Sequence, residues 1–180
     1  MKLESEEISV LSRRAHNTAV KHGFYKSKPS KEHLLMLICT EISEAVQADR
    51  KGLICNRKYS TLWYACHKAD DCNFVETYKE FVKDTVNDEM ADIAIRLYDF
   101  IGNMGPSYHY SIPSTTFIKH GDFAADGYRL IRMIVEEDNI NDILQYIYDW
   151  AFSLSLHLRL FIDIKMRYNK LRPYKNGKRY

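Results

Sequence analysis

Two short stretches constrain this chain more than anything else in it, because each sets carboxylates into the apolar stripe of a helix. In Leu34-Leu35-Met36-Leu37-Ile38-Cys39-Thr40-Glu41-Ile42-Ser43-Glu44-Ala45 the stripe runs Leu34, Leu37/Ile38, Glu41, Ala45 and Ala48. Glu41 therefore stands where the period calls for an apolar side chain, with Glu44 at its edge. In Asp88-Glu89-Met90-Ala91-Asp92-Ile93-Ala94 the stripe runs Val82, Val86, Glu89/Met90, Ile93, Leu97 and Ile101, with Asp92 one step aside. A three-residue spacing puts the two acids of each helix about 4.5 Å apart along the axis, on adjoining parts of one face. Burying carboxylates near a helical core costs several kcal/mol each unless cations neutralise them. A divalent metal gripped by all four is the economical explanation. Either motif alone reads equally well as solvated helix surface.

The remaining sequence predicts one all-α domain over residues 1–180. A chain of 180 residues that is 46% hydrophobic can bury one sizeable core, and nothing in it marks a second. Met1-Lys2-Leu3-Glu4-Ser5-Glu6-Glu7 is charged, and no run approaches the roughly 18 apolar residues of a membrane span, so a cytoplasmic protein without membrane contact is expected. Cysteines at 39, 55, 66 and 72 show no tight pairing and are expected to be reduced. Cys55, Cys66, His67 and Cys72 match no familiar zinc spacing, and ordinary half-buried thiols are the preferred reading.

The spacing predicts a first helix over 5–22, stopped by Gly23. A second opens at Pro29-Ser30 with Ser30 as N-cap, and Gly52 closes it. Residues 53–84 read as an insertion of one or two short helices carrying Leu62, Trp63, Tyr64, Phe74, Tyr78 and Phe81. These aromatics fit a core better than a base-stacking surface. The second acidic helix is expected over 84–101, capped by Asp84 or Thr85 and ending before Gly102. A loop over about 103–121 holds Pro106, Tyr108, His109, Tyr110 and Pro113, in the length range of lids and partner contacts. Asp122 caps a helix to about 137, and a last long helix starts at Asn139 or Asn141 and runs past Ile164.

The formal net charge of +2 hides an uneven distribution. Residues 165–180 hold seven Lys/Arg and no acid, which leaves the remaining chain acidic by five. Within that stretch Lys165, Asn169 and Arg172 fall at i, i+4 and i+7, one row on a helix face. An ammonium, an amide and a guanidinium in a row suit phosphate oxygens and a sugar hydroxyl. As a plain helix end, the same cations favour the helix dipole.

Thr40-Glu41-Ile42-Ser43-Glu44-Ala45 together with Asp88-Glu89-Met90-Ala91-Asp92-Ile93-Ala94-Ile95-Arg96-Leu97 resembles the paired E-x-x-E and E-x-x-D helices of the MazG-like all-α nucleoside triphosphate pyrophosphohydrolases, the superfamily that includes the dimeric dUTPases and dCTPases. Lys165-x-x-x-Asn169-x-x-Arg172-Pro173-Tyr174 resembles their C-terminal K-x-x-x-N-x-x-R-P-Y segment, and Ala19-Val20-Lys21-His22-Gly23-Phe24-Tyr25 the end of their first helix. The likeness covers about 15–52, 84–102 and 160–180. The 53–84 insertion departs from it, as does Thr40, where many relatives carry a further acid.

The resemblance implies a four-helix bundle core, expected as a homodimer, and a Mg2+ cofactor for which Mn2+ can substitute. Glu41, Glu44, Glu89 and Asp92 would be the metal ligands, with Glu41 or Glu44 as general base. Lys165 and Arg172 would bind the phosphate chain, and Asn169 the sugar or a phosphate. The implied reaction is hydrolysis of a nucleoside or deoxynucleoside triphosphate to the monophosphate and pyrophosphate, with no base indicated. Other readings are a non-catalytic nucleotide- or metal-binding regulatory protein and a nucleic-acid-binding module using the basic tail. A di-iron bundle is disfavoured, because it wants Glu-x-x-His where this chain has E-x-x-E and E-x-x-D.

Overall fold

One helix is buried around most of its circumference, and the others gather about it. The computed structural model describes residues 5–105 and 121–177, and all regular structure among them is helical, with eight α-helices and no strand. The central element is α5 (Val86–Met104), whose apolar positions Met90, Ile93, Ala94, Leu97, Tyr98 and Ile101 are all buried. Such a pattern demands neighbours on several sides. They are α1 (Ser5–Lys21), α2 (Lys31–Arg50), α7 (Ile140–Ser153) and α8 (Leu158–Leu171). Outside them, α6 (Phe123–Val135) packs on α2 and α7, while α3 (Tyr59–Lys68) and α4 (Asp71–Phe81) pair with each other and rest on α8. Ile38, Ile42, Leu97, Tyr98, Trp150 and Phe161 belong to one continuous core.

The helix starts follow from side-chain capping. Ser30 accepts a hydrogen bond from the His33 N–H at 3.2 Å, and Asp122 from the Ala125 N–H at 2.9 Å. Of the two candidate caps for α5, Thr85 is the one used. Its hydroxyl accepts from the Asp88 N–H at 3.3 Å, while Asp84 turns the chain with a left-handed φ of 63°. The 53–84 insertion does form two short helices. Phe74 and Tyr78 lie fully buried, so those rings serve the core.

Two expectations need correction. The predicted single last helix is two, because the chain breaks between α7 and α8 at Leu154–His157, with Ser155 at φ 55°. No glycine or proline marks the break, and Leu154 turns outward where a continuous stripe would bury it. Second, α5 does not stop before Gly102 but continues to Met104. Gly102 is there for close packing: a Cβ at that position would lie 2.6 Å from the Ser12 carbonyl oxygen and 2.6 Å from the His16 Cβ on α1.

No described helix is long and apolar enough to cross a membrane. The loop residues Pro106, Tyr108, His109, Tyr110 and Pro113, the tail cations Lys178 and Arg179, and the Cys66 side chain lie outside the described residues. Because α1 and α5 meet at Gly102 without room for a methyl group, Gly102→Ala should destabilise the fold by about 1–3 kcal/mol despite its better helix propensity. Urea denaturation checks this, and a stability equal to the parent's would contradict the packing described.

Candidate metal centre

Along α5, Glu89, Asp92, Arg96 and Asp99 recur at i, i+3, i+7 and i+10, which keeps all four on one stripe. Glu41 and Glu44 reach the same place from α2, and Lys165, Asn169 and Arg172 from α8 and its C-terminal end. All of them line one cavity of about 230 Å³, together with Ala15 and Ala19 of α1 and with His22 and Phe24 just beyond it. The two acidic helices and the C-terminal row, far apart in sequence, thus converge.

Glu41, Glu89 and Asp92 each bring one carboxylate oxygen within 4.8 Å of the others. Glu41 and Glu89 are buried and Asp92 half-buried, whereas Glu44 is exposed at the rim and lies outside that tight group. The expectation of four buried carboxylates is corrected on this point. Glu44 follows Glu41 by three residues, but the step around the helix carries it to the solvent side.

Two cations offset the acids, Lys165 buried and Arg96 half-buried. Lys165, 5% exposed, contacts Asp92 Oδ2 at 2.6 Å and Asp88 Oδ1 at 2.9 Å. Arg96 donates from Nε to Glu41 Oε1 at 2.9 Å. Asp88, 1% exposed, also accepts from the Tyr78 hydroxyl and from the Asp84 N–H at 3.1 Å. Burial pushes the Asp88 carboxyl up, opposed by the Lys165 ammonium and the Tyr78 hydroxyl that donate to it and reinforced by the Asp92 charge. Burial likewise opposes charge on Lys165, yet the Asp92 and Asp88 carboxylates outweigh it and hold the ammonium well above the ordinary lysine range. Lys165 is therefore tied to the acids, not extended into solvent.

Glu89 has no such partner. Its Oε2 is buried and makes no hydrogen bond. Burial first, then the Asp92 and Asp88 charges, push its carboxyl up to about 8. Glu41 is also raised, by burial and then by Asp92, with Arg96 pulling the other way. A buried, unpaired carboxylate oxygen beside two further carboxylates is the donor set that a hard divalent cation takes. The residues present fit a metal ion, whose identity the donor set leaves open. Among the described residues no cluster with a cysteine or histidine ligand appears, and Cys39, Cys55 and Cys72 are free thiols.

The C-terminal segment is tethered beside the cavity. His22 Nε2 lies 3.1 Å from the Arg172 carbonyl oxygen, and the Lys175 N–H donates to the His22 carbonyl at 2.9 Å. The Tyr174 ring fills the space where a side chain on Gly23 would sit, 2.2 Å from its ideal Cβ. Asn169 Oδ1 is a second buried acceptor without a hydrogen bond. Farther back, Arg167 is engaged by Asp71 and the Ala69 carbonyl, so the basic stretch is not uniformly solvated. Asp88, Arg96, Asp99 and Tyr78 were not singled out from the sequence. Arg96 and Asp99 share the helix face of Glu89 and Asp92, and extending that stripe by two turns would have found them.

Comparison with protein-family models, with curated proteins and with solved structures finds no match to this chain.

In the metal-free protein Glu89 stays protonated to about pH 8 when folded but ionises near its ordinary value when unfolded. The native state then holds the extra proton, so stability should fall as pH rises between about 4.5 and 8 and level off above. Glu89→Gln should remove this part of the slope in pH-dependent urea unfolding. A slope unchanged in the variant would contradict the assignment.

Proposed function

We propose that the chain is a Mg2+-dependent nucleoside triphosphate pyrophosphohydrolase of the MazG-like all-α type, with α1, α2, α5 and α8 as its bundle core and a second copy as its expected partner. The observation that carries the reading is the convergence of Glu41, Glu89 and Asp92, with Glu89 Oε2 unpaired, on the cavity that Asn169 and Arg172 also line. Acids to hold a cation stand beside donors for an anionic chain.

Glu41, Glu89 and Asp92 would hold Mg2+, with Glu44 at the rim, and the ion when bound supplies positive charge to the phosphate oxygens and acts as a Lewis acid. The remaining work falls to side chains. Lys165 spends two of its three N–H donors on Asp88 and Asp92, leaving one for a phosphate oxygen. The Arg172 guanidinium meets the phosphate chain, and the unpaired Asn169 Oδ1 accepts from a sugar hydroxyl. Glu44 is the better general base of the two candidates. Glu41 is buried with one oxygen held by Arg96, whereas the Glu44 carboxylate lies at the solvent rim, where it can take a proton from water.

The nucleic-acid reading draws little support from the basic stretch, since Lys165 and Arg167 are engaged by Asp88, Asp92 and Asp71. Nothing specific favours a non-catalytic role.

A panel of nucleoside and deoxynucleoside triphosphates with Mg2+, scored for pyrophosphate and phosphate separately, tests the proposal. Asp92→Asn should lower pyrophosphate release by about two orders of magnitude or more while keeping the helical circular dichroism. Arg172→Ala should act mainly by raising KM. Full activity in Asp92→Asn would rule out the proposed centre.

A further inference from the structure

We infer that Arg96 and Asp99 form a base-reading subsite that selects triphosphates of guanine or cytosine, the bases that pair an amino group with two adjacent acceptors. The inference rests on the triphosphate reading above and adds to it the identity of the base.

Arg96 is first a counter-ion, but that role uses only one of its five N–H donors, the Nε–H given to Glu41. Among the described residues the four donors on its two Nη atoms make no hydrogen bond. The side chain keeps 19% exposure, and it lines the cavity. A guanidinium presents those donors as a planar fork that matches two acceptors side by side. Such a fork takes either a phosphate or a base edge, and the surroundings decide between them.

Arg96 follows Asp92 by one helical turn, on the side away from the Asp88 end of α5, where Lys165 binds. Its guanidinium carbon lies 5.8 Å from the Phe24 ring centroid. Ala15, Ala19 and Ile95 also line the cavity. Small and flat apolar walls are wrong for a polyphosphate and suit the face of a base.

Asp99 strengthens the distinction. It stands three residues beyond Arg96 on the same stripe, about 10 Å along the axis from Asp92. Its Oδ1 is anchored by the Tyr25 hydroxyl at 2.8 Å and by His16 Nδ1 at 3.0 Å. These contacts fix the carboxylate without using Oδ2. A fixed carboxylate repels phosphate and accepts N–H from an exocyclic amino group.

A fork of donors beside a carboxylate acceptor has a definite complement. Guanine offers the adjacent acceptors O6 and N7 to the fork and its amino edge to Asp99. Cytosine offers O2 and N3, with its amino group for Asp99. Adenine lacks an adjacent acceptor pair, and uracil and thymine lack both that pair, because N3–H separates O2 from O4, and the amino group.

The test measures kcat/KM for GTP, CTP, ATP and UTP and their deoxy counterparts with Mg2+, in the parent protein, Arg96→Lys and Asp99→Asn. Arg96→Lys keeps a positive charge beside Glu41 but removes the fork. The parent should favour a guanine or cytosine nucleotide about tenfold or more over adenine and uracil. That ratio should collapse in Arg96→Lys, and in Asp99→Asn, whose amide can set an N–H donor against the amino group of the base, it should fall toward parity. A purely structural role for either residue would lower all nucleotides alike and leave the ratio in place, which would overturn the inference, as would a parent that favours adenine or uracil or fails to discriminate. If no triphosphate is hydrolysed, the reaction reading fails, and calorimetric binding of the same panel still decides the subsite. Selective guanine or cytosine binding lost in Arg96→Lys sustains it, and absence of selective binding overturns it.

Discussion

The molecule depends on how it compensates acids that it has buried. Asp88, Glu89 and Glu41 are each 5% exposed or less, and leaving such groups charged without partners would cost more than a domain of this size commonly has in net stability. Lys165 answers Asp88 and Asp92, and Arg96 answers Glu41. Glu89 is left over, and the proton it retains is the neutralisation available in the metal-free protein. Four carboxylates, Glu41, Asp88, Glu89 and Asp92, thus face two cations, and the Glu89 proton makes up only one of the two missing positive charges, in a place where a divalent cation would meet three carboxylates. That shortage links the fold to the proposed chemistry.

The same helix that carries the acids also holds the fold together. Because α5 packs against α1, α2, α7 and α8, its polar stripe faces into the bundle and its register is fixed by apolar contacts on the other sides. Gly102 lets α1 approach closely at one end, and Thr85 sets the first turn at the other. Between them, the stripe from Glu89 to Asp99 presents two acids, a guanidinium and a further acid in sequence along one cavity. The inserted α4 joins this arrangement through Tyr78, whose hydroxyl meets Asp88 and whose ring stacks 3.9 Å from that of Tyr168.

Much of this was legible in the sequence because burial leaves a periodic trace. Carboxylates standing in apolar stripes at Glu41 and Glu89 pointed to one shared centre, and the 3.6-residue period placed most helices and three of their caps. What periodicity could not supply was partnership across the chain. It cannot tell that Lys165 pairs with Asp88, 77 residues away, or that Arg96 pairs with Glu41, 55 residues away. It set Glu44 at the edge of the stripe without telling how far that edge is covered, and Glu44 lies exposed at the rim. The break at Leu154–His157 was missed for a related reason: its residues are ordinary helix formers, and tertiary packing of α8 overrides their propensity.

The most direct measurement of the central claim is calorimetric titration of the protein with Mn2+ or Mg2+ in buffers of different ionisation enthalpy, which counts protons released per ion bound. If a cation takes the place of the Glu89 proton, binding at pH 7 should release close to one proton, and the release should fade toward pH 9 as Glu89 ionises unaided. Binding with no proton release at pH 7, or no binding at millimolar metal, would contradict the account of this centre.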